Sequence, residues 1–124
     1  MSERDEIIAV ASTYLDAGLV NDDAEGVRLA EDCRRWTQQS QAGTPRNESA
    51  DEIRAGIRRG DERGIERIDN RRWLVDGDQA VVIANIWHQG LSEPILLFER
   101  FRIEDGAIRE IEGLYLAPPL PGRA

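Results

Sequence analysis

Apolar positions recur at helical spacing near the start of the chain and alternate with polar ones towards its end. Ile7, Val10, Ala11, Tyr14, Leu15 and Gly18 predict a helix over Ser2–Val20. Ser2 can cap it, and Glu3, Asp5 and Glu6 favour its first turn. Asn21-Asp22-Asp23 breaks this helix and caps a short second one, about Asp23 to Glu31. Cys33–Gln39 reads as a short strand, with Arg34, Trp36 and Gln38 on one face. Gln41–Asn47, with Gly43 and Pro45, reads as a loop. Ser49-Ala50-Asp51-Glu52 has the form of a capping box and opens a third helix to about Arg58. Gly60–Gly64 is a charged turn.

The rest is a meander. Strands are predicted over Glu66–Val75, Gln79–Gln89, Ile95–Ile103 and Ala107–Leu116. Asp76-Gly77-Asp78 and Asp105-Gly106 supply the hairpin turns, and Gly90–Pro94 joins the middle pair. Pro118-Pro119-Leu120-Pro121 ends regular structure, so one domain is expected over 1–117 with a Pro-rich tail over 118–124. Helices gathered on one side of a curved antiparallel sheet give an α+β fold. Three helices closing such a sheet leave a conical cavity suited to a small molecule.

One residue breaks the alternation. Ile95, Leu97, Glu99, Phe101 and Ile103 share a face, so a lone carboxyl stands in an apolar row. Burying it charged is costly, and it must be paired or protonated. Arg67, Arg72 and Arg109 are available as partners from other strands. Protonated, it could donate a hydrogen bond to a developing oxyanion.

Composition narrows the field. The chain has 124 residues and a net charge of −8, which argues against non-specific binding to nucleic acid or anionic membrane. All 16 basic residues are Arg. Cys33 is the single cysteine, which excludes an intrachain disulfide and fits a reducing compartment. No apolar run approaches a membrane span, and the acidic start lacks a signal core, so a cytoplasmic protein is expected. There is no Gly-rich phosphate loop and no nucleophile elbow. A single His and a single Cys make a structural zinc site unsupported, and no cofactor is expected.

Three stretches carry a resemblance. They are Tyr14-Leu15-Asp16-Ala17 with Asn21-Asp22 and Leu29-Ala30-Glu31-Asp32, then Ser49–Ile57, then Glu99-Arg100-Phe101-Arg102-Ile103 with Asp105-Gly106. In this order the chain resembles the nuclear-transport-factor-two-like (SnoaL-like) superfamily, and within it the ketosteroid isomerases. The resemblance implies a cystatin-like α+β barrel, often dimeric, hosting isomerases, cyclases, epoxide hydrolases and non-catalytic binders, so fold alone does not assign the activity. It implies that Tyr14 and a neutral Glu99 hold a carbonyl oxygen. The family's proton-shuttling carboxylate falls at Gln38, or at Thr37 if the register slips, and neither can be a carboxylate base. A further network tyrosine falls at Ile57. An epoxide hydrolase of this fold would need an Arg and an Asp two apart on one face. Here Glu99 is followed two positions on by Phe101.

The resemblance also gives the expected cavity wall. Val82, Ala84 and Ile86 come from the second long strand, Leu97 and Phe101 from the third, and Ile111, Gly113 and Tyr115 from the fourth. Trp36 joins them as core, wall or dimer contact. His88 shares the face of Val82, Ala84 and Ile86 and is the candidate general base, or else a half-exposed strand histidine. The expected ligand is an apolar steroid- or polyketide-like molecule with a carbonyl or hydroxyl. The alternatives are a non-catalytic hydrophobic-ligand binder and a structural dimer using Trp87, Leu96 and Phe98.

Overall fold

The computed structural model describes residues 2–39 and 46–116, without the side chains of 38, 39 and 46. The expected Pro-rich tail and most of the expected loop lie outside these residues. Helix α1 (Glu3–Thr13) starts where the Ser2 hydroxyl accepts from the Asp5 N–H at 3.1 Å. At Tyr14 the helix widens into a π-helical stretch, Tyr14–Val20, whose end is marked by an Asn21 N–H to Asp16 carbonyl bond of 3.2 Å. Wide turns of this kind are frequent at functional sites.

The expected second helix is a single 3₁₀ turn, Ala24–Gly26, closed by the Asp23 side chain accepting from the Gly26 N–H. Gly26 resists continuation of a helix. The segment that follows is taken by the sheet instead. The Ile108 N–H donates to the Arg28 carbonyl, and strand β1 (Leu29–Gln39) runs from there. The described fold therefore holds two α-helices where three were expected.

Strand β2 (Arg46–Ser49) pairs antiparallel with β1 and leads into α2 (Ala50–Arg59). Its capping box is complete: Ser49 accepts from the Glu52 N–H, and the Glu52 carboxylate accepts from the Ser49 N–H. Gly60, at φ 72°, ends the helix in the left-handed conformation that glycine tolerates. Then come β3 (Ile65–Asp76), β4 (Gln79–His88), β5 (Ile95–Glu104) and β6 (Ala107–Leu116). Asp105 and Gly106 both adopt positive φ, as the tightest hairpin turn requires.

The sheet order is β2-β1-β6-β5-β4-β3. Every pairing is antiparallel except β1 with β6, which is parallel. The sheet is curved and unclosed, an α+β fold with its helices on one face. That inner face carries Ala80, Val82, Ala84, Ile86, Leu97, Phe101, Ile108 and Ile111, which are buried against Val10, Ala11, Leu15 and Leu19.

Candidate functional site

The strand registers set the inner face out in rows. One row runs Arg35, Ile111, Phe101, Ala80 across β1, β6, β5 and β4. The next runs Thr37, Gly113, Glu99, Val82, and beyond it Tyr115, Leu97 and Ala84 lie side by side. Neighbouring rows on one face of a sheet are separated by about 7 Å, two residues of rise.

Tyr14 reaches into the first row from the start of the π-helical stretch. It is fully buried and packs edge-on to Phe101, with ring centroids 5.9 Å apart. Its hydroxyl oxygen accepts a short hydrogen bond from Nη1 of Arg35. Arg35 is buried and donates through Nε and Nη2 to Oε1 of Glu48, at 3.1 and 2.5 Å. Burial disfavours its charge, but Tyr14, Tyr115 and Glu48 outweigh that and hold the guanidinium firmly protonated. Burial raises the Tyr14 hydroxyl above the usual tyrosine range, against the lowering effect of Arg35. The tyrosine oxygen is thus occupied as an acceptor while its O–H remains a donor.

Glu99 stands in the second row at 1 % exposure. Neither carboxyl oxygen has a partner at hydrogen-bonding distance and angle among the described residues, although the Tyr115 hydroxyl is near enough to favour its charged form, and the buried Thr37 hydroxyl has none. Burial pushes the Glu99 carboxyl up to about 8, with Glu62 adding to the rise and Arg35 and Tyr115 opposing it. At neutral pH it is a carboxylic acid with one O–H to give. A β-carbon at Gly113 would lie 2.9 Å from Glu99 Oε2, so glycine makes the room in which this side chain lies.

A small cleft opens beside this cluster between the π-helical stretch, α2 and the turn after it. Leu19, Arg35, Glu48, Ile53, Gly56, Ile57, Asp61 and Glu62 line it. At about 10 Å³ it is near the limit for one water. Glu62 is half-buried here, and its charge is felt at Tyr14, Glu99 and Tyr115. A second space lies on the outer face, a groove of about 490 Å³ flanked by Trp36, Val81, Phe98, Arg100, Glu112 and Leu114, with Thr37, Glu99 and Gly113 also lining it.

These positions sort the expected residues. Tyr14, Glu99, Val82, Ala84, Ile86, Leu97, Phe101, Ile111, Gly113 and the half-buried Tyr115 come together on the inner face. Ile57 packs near Gly18 and lines the cleft. Trp36 is on the outer face, not in the wall. Gln38 pairs in register with Leu114, and the inward positions of β1 are Cys33, Arg35 and Thr37. His88 ends β4 with Nδ1 2.6 Å from the Gln89 carbonyl and Nε2 3.1 Å from the Arg63 carbonyl. Both ring nitrogens are engaged by backbone, away from the Tyr14–Arg35 cluster. Arg35, Glu48 and Glu62 went unrecognised in the sequence. Cys33, a type that is usually buried, was the available signal, because Arg35 shares its parity.

A curved, unclosed six-stranded sheet with its helices on one face is the nuclear-transport-factor-two-like fold. Solved structures of that fold are similar to this chain. One is an NTF-2-like protein from Burkholderia xenovorans LB400, at 15 % identity over 96 % of this chain and 90 % of that one, TM-score 0.68. Another, from Kribbella flavida DSM 17836, is assigned as a ketosteroid isomerase, at 20 % identity over 97 % and 84 %, TM-score 0.67. A third, from Sinorhizobium meliloti, is assigned as a polyketide cyclase, at 21 % identity over 85 % and 93 %, TM-score 0.63. Likeness at these identities concerns the fold. The chain itself belongs to the family described as a domain of unknown function, DUF8021, which matches residues 1–115. No curated protein matches it.

Proposed function

We propose that the inner face binds a small apolar molecule through a carbonyl group and polarises that carbonyl, as an enzyme of isomerase or cyclase type. The observation that carries this reading is Glu99, fully buried, raised to about 8 and without a partner among the described residues. An acid kept neutral at such a position serves as a hydrogen-bond donor. Tyr14 is the second donor, and Arg35 on its oxygen makes its O–H a stronger one. As a proton leaves the carbon beside the carbonyl, charge gathers on the oxygen, and both donors stabilise it. Glu62, in the cleft with Arg35 and Glu48, is the carboxylate that takes the proton in place of His88. The ligand enters by displacement of the cleft residues, since the cleft itself is too small to admit it.

Calorimetric titration with 2-naphthol, a phenolic mimic of the enolate, tests this. Tyr14→Phe and Glu99→Gln are each expected to weaken binding about tenfold or more, the equivalent of one hydrogen bond to a charged group. Equal affinity in all three proteins would make these residues structural and end the reading. Non-catalytic binding of the same ligand is the nearest alternative. It predicts retained 2-naphthol affinity with no deuterium exchange at the carbon beside a ketone, and no effect of Glu62→Gln.

The outer groove favours one further reading, a homodimer joined through this face of the sheet. Trp36 and Leu114 are exposed there beside Phe98. Exposed apolar patches mark contact surfaces. Sedimentation should give twice the chain mass, and Phe98→Glu should give the monomer. A monomeric wild type would remove this reading.

A further inference from the structure

A carbonyl oxygen accepts hydrogen bonds and donates none. Set against Tyr14 and Glu99, it uses two O–H donors. It leaves untouched the second oxygen of the Glu99 carboxyl and the hydroxyl of Thr37. Both lie buried, at 1 % and 7 % residue exposure, without a partner among the described residues. Buried polar atoms in folded proteins are nearly always hydrogen-bonded, to protein, to ordered water or to a bound group, so two orphaned side chains in one row call for a shared partner.

The placement of the two is specific. Thr37 and Glu99 flank Gly113 in one row across β1, β6 and β5. Gly113 itself adds no side chain between them; Glu99 Oε2 and the edge of the Tyr115 ring border the space above it, 2.9 and 3.6 Å from where a β-carbon would be, so a ligand oxygen there lies against both. Tyr14 belongs to the adjacent row, where it bonds Arg35 and packs on Phe101. Thr37 is thus one row, about 7 Å of backbone, beyond the Arg35 row that Tyr14 meets. Glu99 is long enough to serve both rows.

We propose that the ligand carries a second oxygen, a hydroxyl, held over Gly113 between Thr37 and Glu99. This rests on the carbonyl-binding reading above. The ligand hydroxyl donates to the Glu99 oxygen that the carbonyl leaves free, and its oxygen accepts from the Thr37 O–H. The substrate class is then a hydroxy-carbonyl compound, or the enol of a dicarbonyl, and not a ketone with a single oxygen. Thr37 acts as a specificity-determining residue, because a site built to bond a hydroxyl rejects the analogue lacking it. No proton changes owner at Thr37.

The experiment compares 2-naphthol with 1,3-, 1,6- and 2,7-dihydroxynaphthalene by calorimetry. At least one diol should bind wild type tenfold or more tightly than 2-naphthol. The diol-to-naphthol affinity ratio should fall towards one in Thr37→Val and be kept in Thr37→Ser. Because the ratio is read within each folded variant, a general loss of stability does not mimic it. Equal affinities for all four compounds in wild type would overturn the proposal, as would a diol preference that survives Thr37→Val. The carbonyl-binding reading fails separately, if 2-naphthol affinity ignores Tyr14→Phe.

Discussion

Glu99 ties stability to pH in an unusual direction. Its carboxyl is raised from the ordinary 4.5 to about 8, so between those values the folded chain holds a proton that the unfolded chain has lost. Its contribution is therefore complete below about 4.5 and lost as pH rises to about 8. Urea denaturation across this window should show stability falling by up to about 1.4 kcal/mol per pH unit from this group. Glu99→Gln should remove that slope, and an unchanged slope would place the titration elsewhere. Arg35 invites a second test. It is 7 % exposed and holds both Tyr14 and Glu48, so Arg35→Ala strands a half-buried carboxylate and a buried hydroxyl and should cost about 3 kcal/mol. At Gly113 the expectation is steric. Alanine there meets Glu99 Oε2 at 2.9 Å and should cost about 1–3 kcal/mol in the same assay.

Among the elements, α2 was legible because its signals are local. The Ser49 capping box, the acidic first turn and the Gly60 terminator are all within ten or so residues of one another. Ser49→Ala should lower the melting midpoint, at a cost of about 1 kcal/mol. The alternation of β4, β5 and β6 was equally plain, and the inner row of Glu99 followed from it. Segment 23–31 was misread for a physical reason. Asp23 does cap a turn, but only one, since pairing of Arg28 and Leu29 with Ile108 captures the chain beyond it. No local pattern reports a partner so distant. The register of β1 was open in the sequence, which offered Gln38 or Thr37 as the inward position; Cys33, Arg35 and Thr37 are the buried ones. An arginine was not expected inside, and only Tyr14 and Glu48, from two other segments, make it tolerable there.

On the scale of the molecule, the outer face of the sheet mixes ion pairs with the apolar side chains of its groove. Arg100 and Arg102 bridge Glu110, Glu112, Asp78 and Glu104 on the outer side of the sheet. Such exposed pairs add little stability singly. The inner side holds its polar groups as buried donors and acceptors among apolar neighbours, the arrangement that small-molecule sites share. Among the described residues no helix is long and apolar enough to cross a membrane.

The single parallel pairing, β1 with β6, has a consequence in time. β1 sits between β2 and β6, and Leu29 finds Ile108 only across roughly eighty intervening residues, a separation that slows folding. On the ribosome the first half of the chain therefore waits for the last strand. Until it arrives, one edge of β1 is unpaired and the Tyr14–Arg35 cluster lacks the floor that Ile111 and Gly113 supply. Expression limited by aggregation of nascent chains, and relieved by slower synthesis or added chaperone, is the practical outcome to expect from that wait.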